Sequence, residues 1–288
     1  MARVVKSSLK LASLLLGGAL SLSVAAVTVY QWRGEGEVTS FGDRPPATAA
    51  EVKKRQLGVE PALYRVKSVH DGDTVTLTDG RRVRLIGINA PEIAHRGRPG
   101  QTGGKAAKRY LKQLVEGKSI YLQWGVERQD RYKRLLAHLL FQDRDSVNEQ
   151  LLRQGLVHLS IKPPNLTRLE SYHQAEQEAR QAGRGIWQLP QYQIVAAADR
   201  ADYQNTFRRM RGEVTGVTEK EHLWVVALTG GVKVMIRKDS LPAFSAAGLA
   251  LPALLGQEVV VRGWVHRASG EPVVRLVHPL EFEQWSLR

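Results

Sequence analysis

Five side chains between residues 73 and 134 could act together on a phosphate ester: Asp73, Arg84, Asn89, Glu92 and Arg134. Hydrolysis of a phosphodiester requires a hard cation, an activated water and positive groups around the charge that develops in the transition state. Carboxylate and amide oxygens are suitable calcium ligands, and the arginine fork matches phosphate oxygens in pairs. The residue types therefore indicate metal-assisted phosphodiester chemistry.

Each feature alone also has an ordinary structural explanation. The Asp-Gly-Asp-Thr sequence that contains Asp73 is common in simple turns, and Arg84 alone could be a solvated strand residue. Pro91 followed by Glu92 is a usual helix start, with an acid at the positive end of the helix dipole. Only the combination of these segments favours the catalytic interpretation.

The surrounding pattern predicts a small β barrel with two or three helices. Alternating or apolar runs predict strands over 64–69, 74–77, 82–88, 119–124 and 135–141, and helical spacing predicts helices over 105–114, 147–154 and 169–182. Asp79-Gly80 is a strong hairpin turn between the second and third strands.

Three motifs in this order resemble the thermonuclease (staphylococcal nuclease-like) family, and the resemblance covers roughly residues 61–190. They are His70-Asp71-Gly72-Asp73-Thr74-Val75, Val83-Arg84-Leu85-Ile86-Gly87-Ile88-Asn89-Ala90-Pro91-Glu92 and Asp130-Arg131-Tyr132-Lys133-Arg134-Leu135-Leu136-Ala137. Weaker similarities follow at Val147-Asn148-Glu149, Arg153-Gln154-Gly155-Leu156, Lys162-Pro163 and Ile186-Trp187.

The resemblance implies a five-stranded OB-type barrel with about three helices and calcium-dependent cleavage of DNA and RNA. It implies that the Asp73 carboxylate, Asn89 and the backbone carbonyl of Ala90 hold Ca²⁺. Glu92 would be the general base for the attacking water. Arg84 and Arg134 would bind the phosphate and neutralise the transition-state charge.

Three departures from the family pattern affect the expected site. The family usually has aspartate where this chain has Asn89, so one negative charge is lost and calcium binding is expected to weaken. Lys133 replaces a common glycine and could add a phosphate contact. The paired tyrosines of the archetype are missing, and His158 is a candidate substitute for their base stacking.

The composition favours a polyanionic partner and excludes cysteine chemistry. The chain has 288 residues, with 42 Lys and Arg against 28 Asp and Glu, and a formal net charge of +14. Most of this excess lies between residues 60 and 190, so a nucleic-acid site is expected there. The absence of cysteine excludes disulfides, thiolate zinc sites and cysteine nucleophiles.

The N-terminus predicts export. Residues 1–26 carry three basic residues and then an apolar run, which indicates either a signal peptide cleaved after Ala26 or a membrane anchor over residues 11–30. The mature protein is then expected in the periplasm or outside the cell, or held on the inner membrane. Residues 27–60 are interpreted as a small hairpin, 29–46, followed by a linker, 47–60.

Residues 205–288 are predicted to form a second, smaller OB-like β barrel after a polar connector. Short strands are expected over 211–217, 223–228, 232–236, 258–265, 273–277 and 280–282. Its candidate contacts for single-stranded nucleic acid are Trp224, Trp264, Arg237 and Arg262. The alternative is a structural barrel whose tryptophans belong to the core.

Three functions are compatible with these patterns. The first is an active nuclease, which is favoured because a binding protein would not need Asp73, Arg84, Glu92 and Arg134 together. The second is a catalytically inactive nuclease-like protein that binds nucleic acid, and the third is an envelope scaffold with a basic surface. The expected partners are DNA and RNA as substrates, and the chain is expected to be a monomer.

Overall fold

The computed structural model describes residues 27–33, 39–42, 50–57, 59–94, 97, 99–199, 203, 205–268 and 270–285. The predicted signal peptide, residues 1–26, lies outside this part of the chain. The described residues form a small N-terminal sheet, a closed barrel with helices, and a second β-rich domain.

The N-terminal sheet has three strands in the order β2-β1-β3: β1 (Val27–Arg33), β2 (Thr39–Gly42) and β3 (Ala50–Leu57). The hairpin prediction agrees with the β1–β2 pairing. The linker prediction for 47–60 does not hold, because β3 lies within it and pairs antiparallel with β1, with Tyr30 opposite Lys54. The basic segment 53–55 is therefore part of a strand.

The closed barrel and its helices begin with β4 (Val59–Val69). The further elements are β5 (Thr74–Leu77), β6 (Arg82–Leu85), β7 (Ile88–Asn89), α1 (Gly104–Val115), β8 (Ser119–Gln129), β9 (Leu135–Leu140), α2 (Val147–Arg153), β10 (His158–Leu159) and α3 (Leu169–Gln181). The strands close in the order β4-β5-β6-β9-β8, with β6 and β9 parallel and the other neighbours antiparallel. The predicted fold class is confirmed.

Alternation along the strands builds the barrel core. Val75 and Leu77 on β5, and Val83 and Leu85 on β6, are at most 1% exposed and pack into one cluster. Residues between them point outward, because side chains alternate across a strand. Arg84 lies between two buried positions, so the pattern that fills the core also directs its side chain to the outer face.

The predicted third strand, 82–88, is interrupted after Leu85. Gly87 has a φ of +79°, a left-handed conformation that glycine adopts without strain. The chain then forms β7, which pairs antiparallel with β10 and places Asn89 opposite His158. This short ladder, rather than the barrel itself, positions Asn89.

A connector that contains β11 (Ile194–Ala196) leads to the C-terminal β domain. Its elements are β12 (Thr206–Glu219), β13 (Leu223–Leu228), β14 (Lys233–Arg237), α4 (Leu241–Ala246), β15 (Glu258–Ala268), β16 (Glu271–Leu276) and β17 (Phe282–Gln284). Since β12 also pairs with β15, five strands form a ring in the order β12-β13-β14-β16-β15. The strand order and the parallel β14–β16 pairing repeat those of the first barrel.

A buried ion cluster joins the two domains. Arg262 on β15 forms a two-pronged ion pair with Glu176 on α3, and its Nη2 also donates to the carbonyl of Leu159 at 3.2 Å. Glu283 on β17 accepts from Arg180 of α3 at 2.8 Å. Glu176 is fully buried, so the C-terminal β domain supplies the cation that neutralises it.

The prediction of a membrane anchor over residues 11–30 is wrong. Residues 27–30, the end of that apolar stretch, belong to β1 and pair in a sheet. Within the described ranges, no helix is both long enough and apolar enough to cross a bilayer.

Candidate active site

Asp73 is the last residue of the 71–73 turn and directly precedes β5. The residue is 6% exposed. One oxygen, Oδ2, accepts from the backbone N–H of Ala90 at 2.8 Å, and Oδ1 accepts from the hydroxyl of Thr74 at 3.1 Å. Gly72 permits this approach, because a Cβ there would come within 2.6 Å of the Cβ atoms of Ala90 and Ala107. Burial raises the pKa of Asp73 to about 6, although Arg84 opposes the shift.

Arg84 connects Asp73 with Asn89. Its Nη1 lies 3.0 Å from Oδ2 of Asp73, and its Nη2 donates to Oδ1 of Asn89 at 3.0 Å. The pairing of β5 with β6 sets this geometry, since Thr74 lies opposite Arg84. The guanidinium is thus held in place by an acid and an amide, and its charge lies beside the buried carboxylate.

Asn89 and Ala90 present further oxygen atoms beside Asp73. Asn89 Nδ2 donates to the carbonyl of Ala90 at 3.3 Å, while its Oδ1 faces Arg84. The carboxylate of Asp73 is anchored to the Ala90 amide, so the three predicted metal ligands meet at one place.

Arg134 reaches the same turn from the other side. The parallel pairing of Val83 with Leu135 places the start of β9 beside β6. Nε of Arg134 donates to Asp130 at 2.8 Å, and its Nη1 donates to the Thr74 hydroxyl at 3.4 Å. The two predicted phosphate-binding arginines therefore flank Asp73 and Thr74 at the start of β5.

A cleft of about 610 Å³ runs between Arg84 and Arg134. Lys162 lines it as well, a position that the Lys162-Pro163 motif could have indicated but that the catalytic motifs do not include. Burial and the charges of Arg84 and Arg134 lower the pKa of Lys162 from its ordinary value. Arg131 also lines the cleft, so four cations face it against the two acids Glu127 and Asp130. This excess of positive charge suits a phosphate group.

Glu92 is not brought into contact with this cluster. Its backbone is fixed by Gln101, whose Oε1 accepts from the Glu92 N–H at 3.0 Å and whose own N–H donates to the Glu92 carbonyl at 2.8 Å. The residue is exposed, and no described residue forms a hydrogen bond or ion pair with its carboxylate. Its side chain does not line the cleft between the arginines.

The atoms at Asp73, Asn89 and Ala90 that could bind a metal are all oxygens, which are the ligands that a hard divalent cation prefers. Asp71 contributes a second negative charge that raises the pKa of Asp73, after the larger effect of burial. However, among the described residues no three His, Cys, Asp or Glu side chains are grouped to hold a metal. A cation here would have to rely on the Asn89 amide and the Ala90 carbonyl as well as on acids.

Lys133 is exposed at the tip of the 130–134 turn and has a φ of +61°. A side chain in this left-handed region is strained, which explains why glycine suits this position. The lysine does not contact Arg84 or Asp73, and it does not line the cleft.

Two predicted nucleic-acid contacts are corrected by the structure. His158 is 3% exposed and stacks on Phe207 of the C-terminal β domain, with ring centroids 4.0 Å apart, so it cannot stack on a base. Arg262 is 3% exposed and is occupied by Glu176 and the carbonyl of Leu159. Both residues serve the junction between the domains.

The other three predicted contacts occupy different positions in the C-terminal β domain. Trp224 is half-buried against the domain core. Arg237 is exposed and paired with Asp239 at 2.8 Å. Trp264 is half-buried and lines two clefts that also include Asn89, so it is the one of the three that lies near the candidate active site.

Comparison with known proteins assigns the family. A profile described as Staphylococcal nuclease homologue matches residues 82–189. The chain is 33% identical over 175 residues to the Thermonuclease of Staphylococcus intermedius, covering 59% of this chain and 96% of that protein. It is 32% identical to the Thermonuclease of Staphylococcus hyicus, over 43% of this chain and 75% of that protein. Endonuclease YncB of Bacillus subtilis is 32% identical over 42% of this chain and 60% of its own length.

The chain therefore belongs to the thermonuclease family. The match to the first of these relatives covers nearly all of that protein, and the family profile includes the segments that carry Arg84, Asn89 and Arg134. The C-terminal β domain lies beyond the residues that the profile matches.

Proposed function

We propose that this protein is a nuclease that hydrolyses phosphodiester bonds of DNA and RNA and requires calcium. One observation carries the proposal: Arg84 and Arg134 flank the start of β5 and line one cleft, with the buried Asp73 carboxylate directly beside Arg84. A phosphate in this cleft would meet two planar cations together with Lys162. Family membership and the printed names of the relatives support the same activity.

The arginines would bind and stabilise the reacting phosphate. Each guanidinium is held by a carboxylate at about hydrogen-bond distance, Arg84 by Asp73 at 3.0 Å and Arg134 by Asp130 at 2.8 Å. A donor that is already positioned does not need to reorganise as negative charge develops on the phosphate. Lys162 would contribute a third positive charge at the edge of the cleft.

Asp73, Asn89 and the carbonyl of Ala90 would hold the calcium ion. Bound there, the ion would supply positive charge that polarises the phosphate. Asp73 and Asn89 would share their oxygens between the ion and Arg84, which pairs with both of them. The single carboxylate in this set predicts weak binding, which we expect in the millimolar range.

Glu92 would act as the general base. Its carboxylate has no bonding partner among the described residues, so it can accept a proton from water. The fixed backbone around Pro91 and Gln101 limits the positions that the side chain can reach. This role rests on the family resemblance and requires the side chain to turn towards the phosphate.

A digestion assay tests the proposal. The purified chain should degrade plasmid DNA and RNA when calcium is present, and a chelator should stop the reaction. Asp73→Asn should abolish cleavage, whereas the exposed control Asp143→Asn should not. Cleavage that persists in the chelator, or in Asp73→Asn, would contradict the calcium-dependent mechanism.

The alternative is a nuclease-like protein that binds nucleic acid without cleaving it. The exposed Glu92 side chain, which lies outside the arginine cleft, is the observation that favours it. The same assay decides between the two: an oligonucleotide that binds in calcium and remains intact would identify a binding protein.

A further inference from the structure

A second cleft of about 340 Å³ lies between the two domains and begins at the candidate active site. We call it the junction groove. Asn89 and Lys162 line the wall formed by the domain of the closed barrel and its helices, which we call the family domain. Trp264, His266 and Arg275 line the wall formed by the C-terminal β domain. Its volume is within the range of small-molecule sites.

Strand geometry places the three C-terminal residues on one face. Trp264 and His266 are two positions apart on β15, so their side chains point the same way. His266 lies opposite Val273 of β16, and Arg275 follows two residues later on the same face. Arg262 also precedes Trp264 by two, and its ion pair with Glu176 fixes this face against the first domain.

The junction groove is positively charged. No described carboxylate lies within salt-bridge distance of Lys162 or Arg275, and Arg275 is exposed. The one acid that lines the groove, Glu281, is occupied by the backbone N–H groups of Val277 and His278 at 2.6 and 3.0 Å. A negatively charged ligand would therefore meet two cations that are not already neutralised.

The groove is continuous with the candidate active site. Lys162 and Ser160 line both the groove and the cleft that contains Arg84 and Arg134. A strand whose phosphate lies between the arginines would be led past Lys162 towards Trp264. The half-buried indole of Trp264 offers a flat surface on which a base can stack.

We propose that the junction groove binds an unpaired nucleotide of the substrate strand, with its base on Trp264 and its phosphate between Lys162 and Arg275. The C-terminal β domain would then be part of the substrate site and would favour single strands that extend beyond the cleaved bond. This deepens the proposed nuclease function and rests on it for the identity of the ligand.

Binding without turnover provides the test. The probe is a fluorescein-labelled single-stranded oligodeoxynucleotide of about ten nucleotides, a length typical of OB-type sites, held in excess chelator and followed by fluorescence anisotropy. Arg275→Gln and Trp264→Leu should each raise its Kd about tenfold, as expected for loss of a stacking or phosphate contact. Matched controls are Arg211→Gln and Trp285→Leu, which change the same residue types outside the groove.

Melting curves of all four variants identify any that are unfolded, and Arg275→Gln, at an exposed position, should melt like the wild type. Equal Kd values for Arg275→Gln, Arg211→Gln and the wild type would overturn the proposal, as would a wild-type chain that does not bind the probe. In calcium, the groove variants should raise KM for the same oligonucleotide and leave kcat unchanged. A wild type that binds the probe but never cleaves it would refute the nuclease function and leave the groove assignment standing.

Discussion

Arg262 and Glu176 form a buried, two-pronged ion pair that links the two domains directly behind β10. Their side chains are 4% and 0% exposed, and Glu176 also accepts from the backbone N–H of Leu159 at 2.6 Å. Leu159 is the neighbour of His158, which pairs with Asn89. The junction between the domains therefore supports the ladder that positions Asn89.

Removing one partner of this pair should be strongly destabilising. Arg262→Ala leaves Glu176 charged and buried, and we expect a loss of about 3–5 kcal/mol in the free energy of unfolding. The double variant Arg262→Met with Glu176→Leu should lose much less. The surface control Arg153→Ala, which breaks pairs with Glu149 and Glu178, should cost less than about 1 kcal/mol. Urea denaturation measures all three, and a single variant as stable as the wild type would contradict the structure.

The same pair predicts how stability depends on pH. Burial alone would raise the pKa of Glu176, but Arg262 outweighs it and holds the pKa at about 2, below the ordinary value of 4.5. The stability from this group is present above about pH 4.5 and is lost as the pH falls towards 2, because the unfolded chain then binds the proton more readily. Melting temperatures across this range should fall more steeply for the wild type than for the double variant. Parallel curves would show that Glu176 does not cause the pH dependence of stability.

Replacement of either arginine by lysine should reduce turnover without unfolding the protein. Arg84→Lys and Arg134→Lys keep the charge but lose the fork, and we expect kcat to fall about 100- to 1000-fold. Arg82→Lys is the control, since Arg82 is exposed on the same strand as Arg84 and does not line the cleft. The measurement is initial rates on DNA with calcium. Wild-type rates in both variants would show that the arginines do not bind the phosphate.

Asn89→Asp should strengthen calcium binding. The change adds a negative charge where Oδ1 of Asn89 faces Arg84, and ligand charge sets calcium affinity, so we expect the Kd to fall about tenfold. Calorimetric titration of calcium measures this without turnover. Gln142→Glu, which adds the same charge at an exposed loop residue away from the site, is the control. An unchanged titration in Asn89→Asp would remove Asn89 from the proposed calcium ligands.

Glu92→Gln should separate catalysis from binding. Loss of a general base is expected to lower kcat by about 10²- to 10⁴-fold, while calcium affinity stays the same. Glu213→Gln, an exposed glutamate on β12, is the control and should retain full rate. If Glu92→Gln instead weakened calcium binding and excess calcium restored the rate, Glu92 would be a ligand.

The sequence was sufficient to predict those strands whose bounds are determined by local residue patterns. Residues 74–77 and 223–228 were predicted with the bounds that the structure has. The first segment alternates polar and apolar residues, the second is a continuous apolar run, and both end at turn residues. The cluster of Asp73, Arg84 and Asn89 also followed from ordered motifs. Their contacts confirm only the proximity of these residues, and their catalytic roles stay predictions.

The remaining differences arise from contacts distant in sequence. The 47–60 segment carries little apolar pattern of its own, and it becomes a strand because β1 is available to pair with it. His158 and Arg262 have the types of nucleic-acid contacts, but each is buried by the opposite domain. Local patterns do not indicate which surfaces will be covered when domains dock.

The ion pair between Glu176 and Arg262 also affects how the nascent chain folds during its synthesis. These residues are 86 positions apart, so α3 is made before the arginine that neutralises its buried acid. At translation rates of 5–20 residues per second, Glu176 waits roughly 4 to 17 seconds for its arginine. During that interval the family domain can pack its core, but the β7–β10 ladder that positions Asn89 lacks the contact from Arg262. The support for Asn89 is thus complete only after β15 has been synthesised.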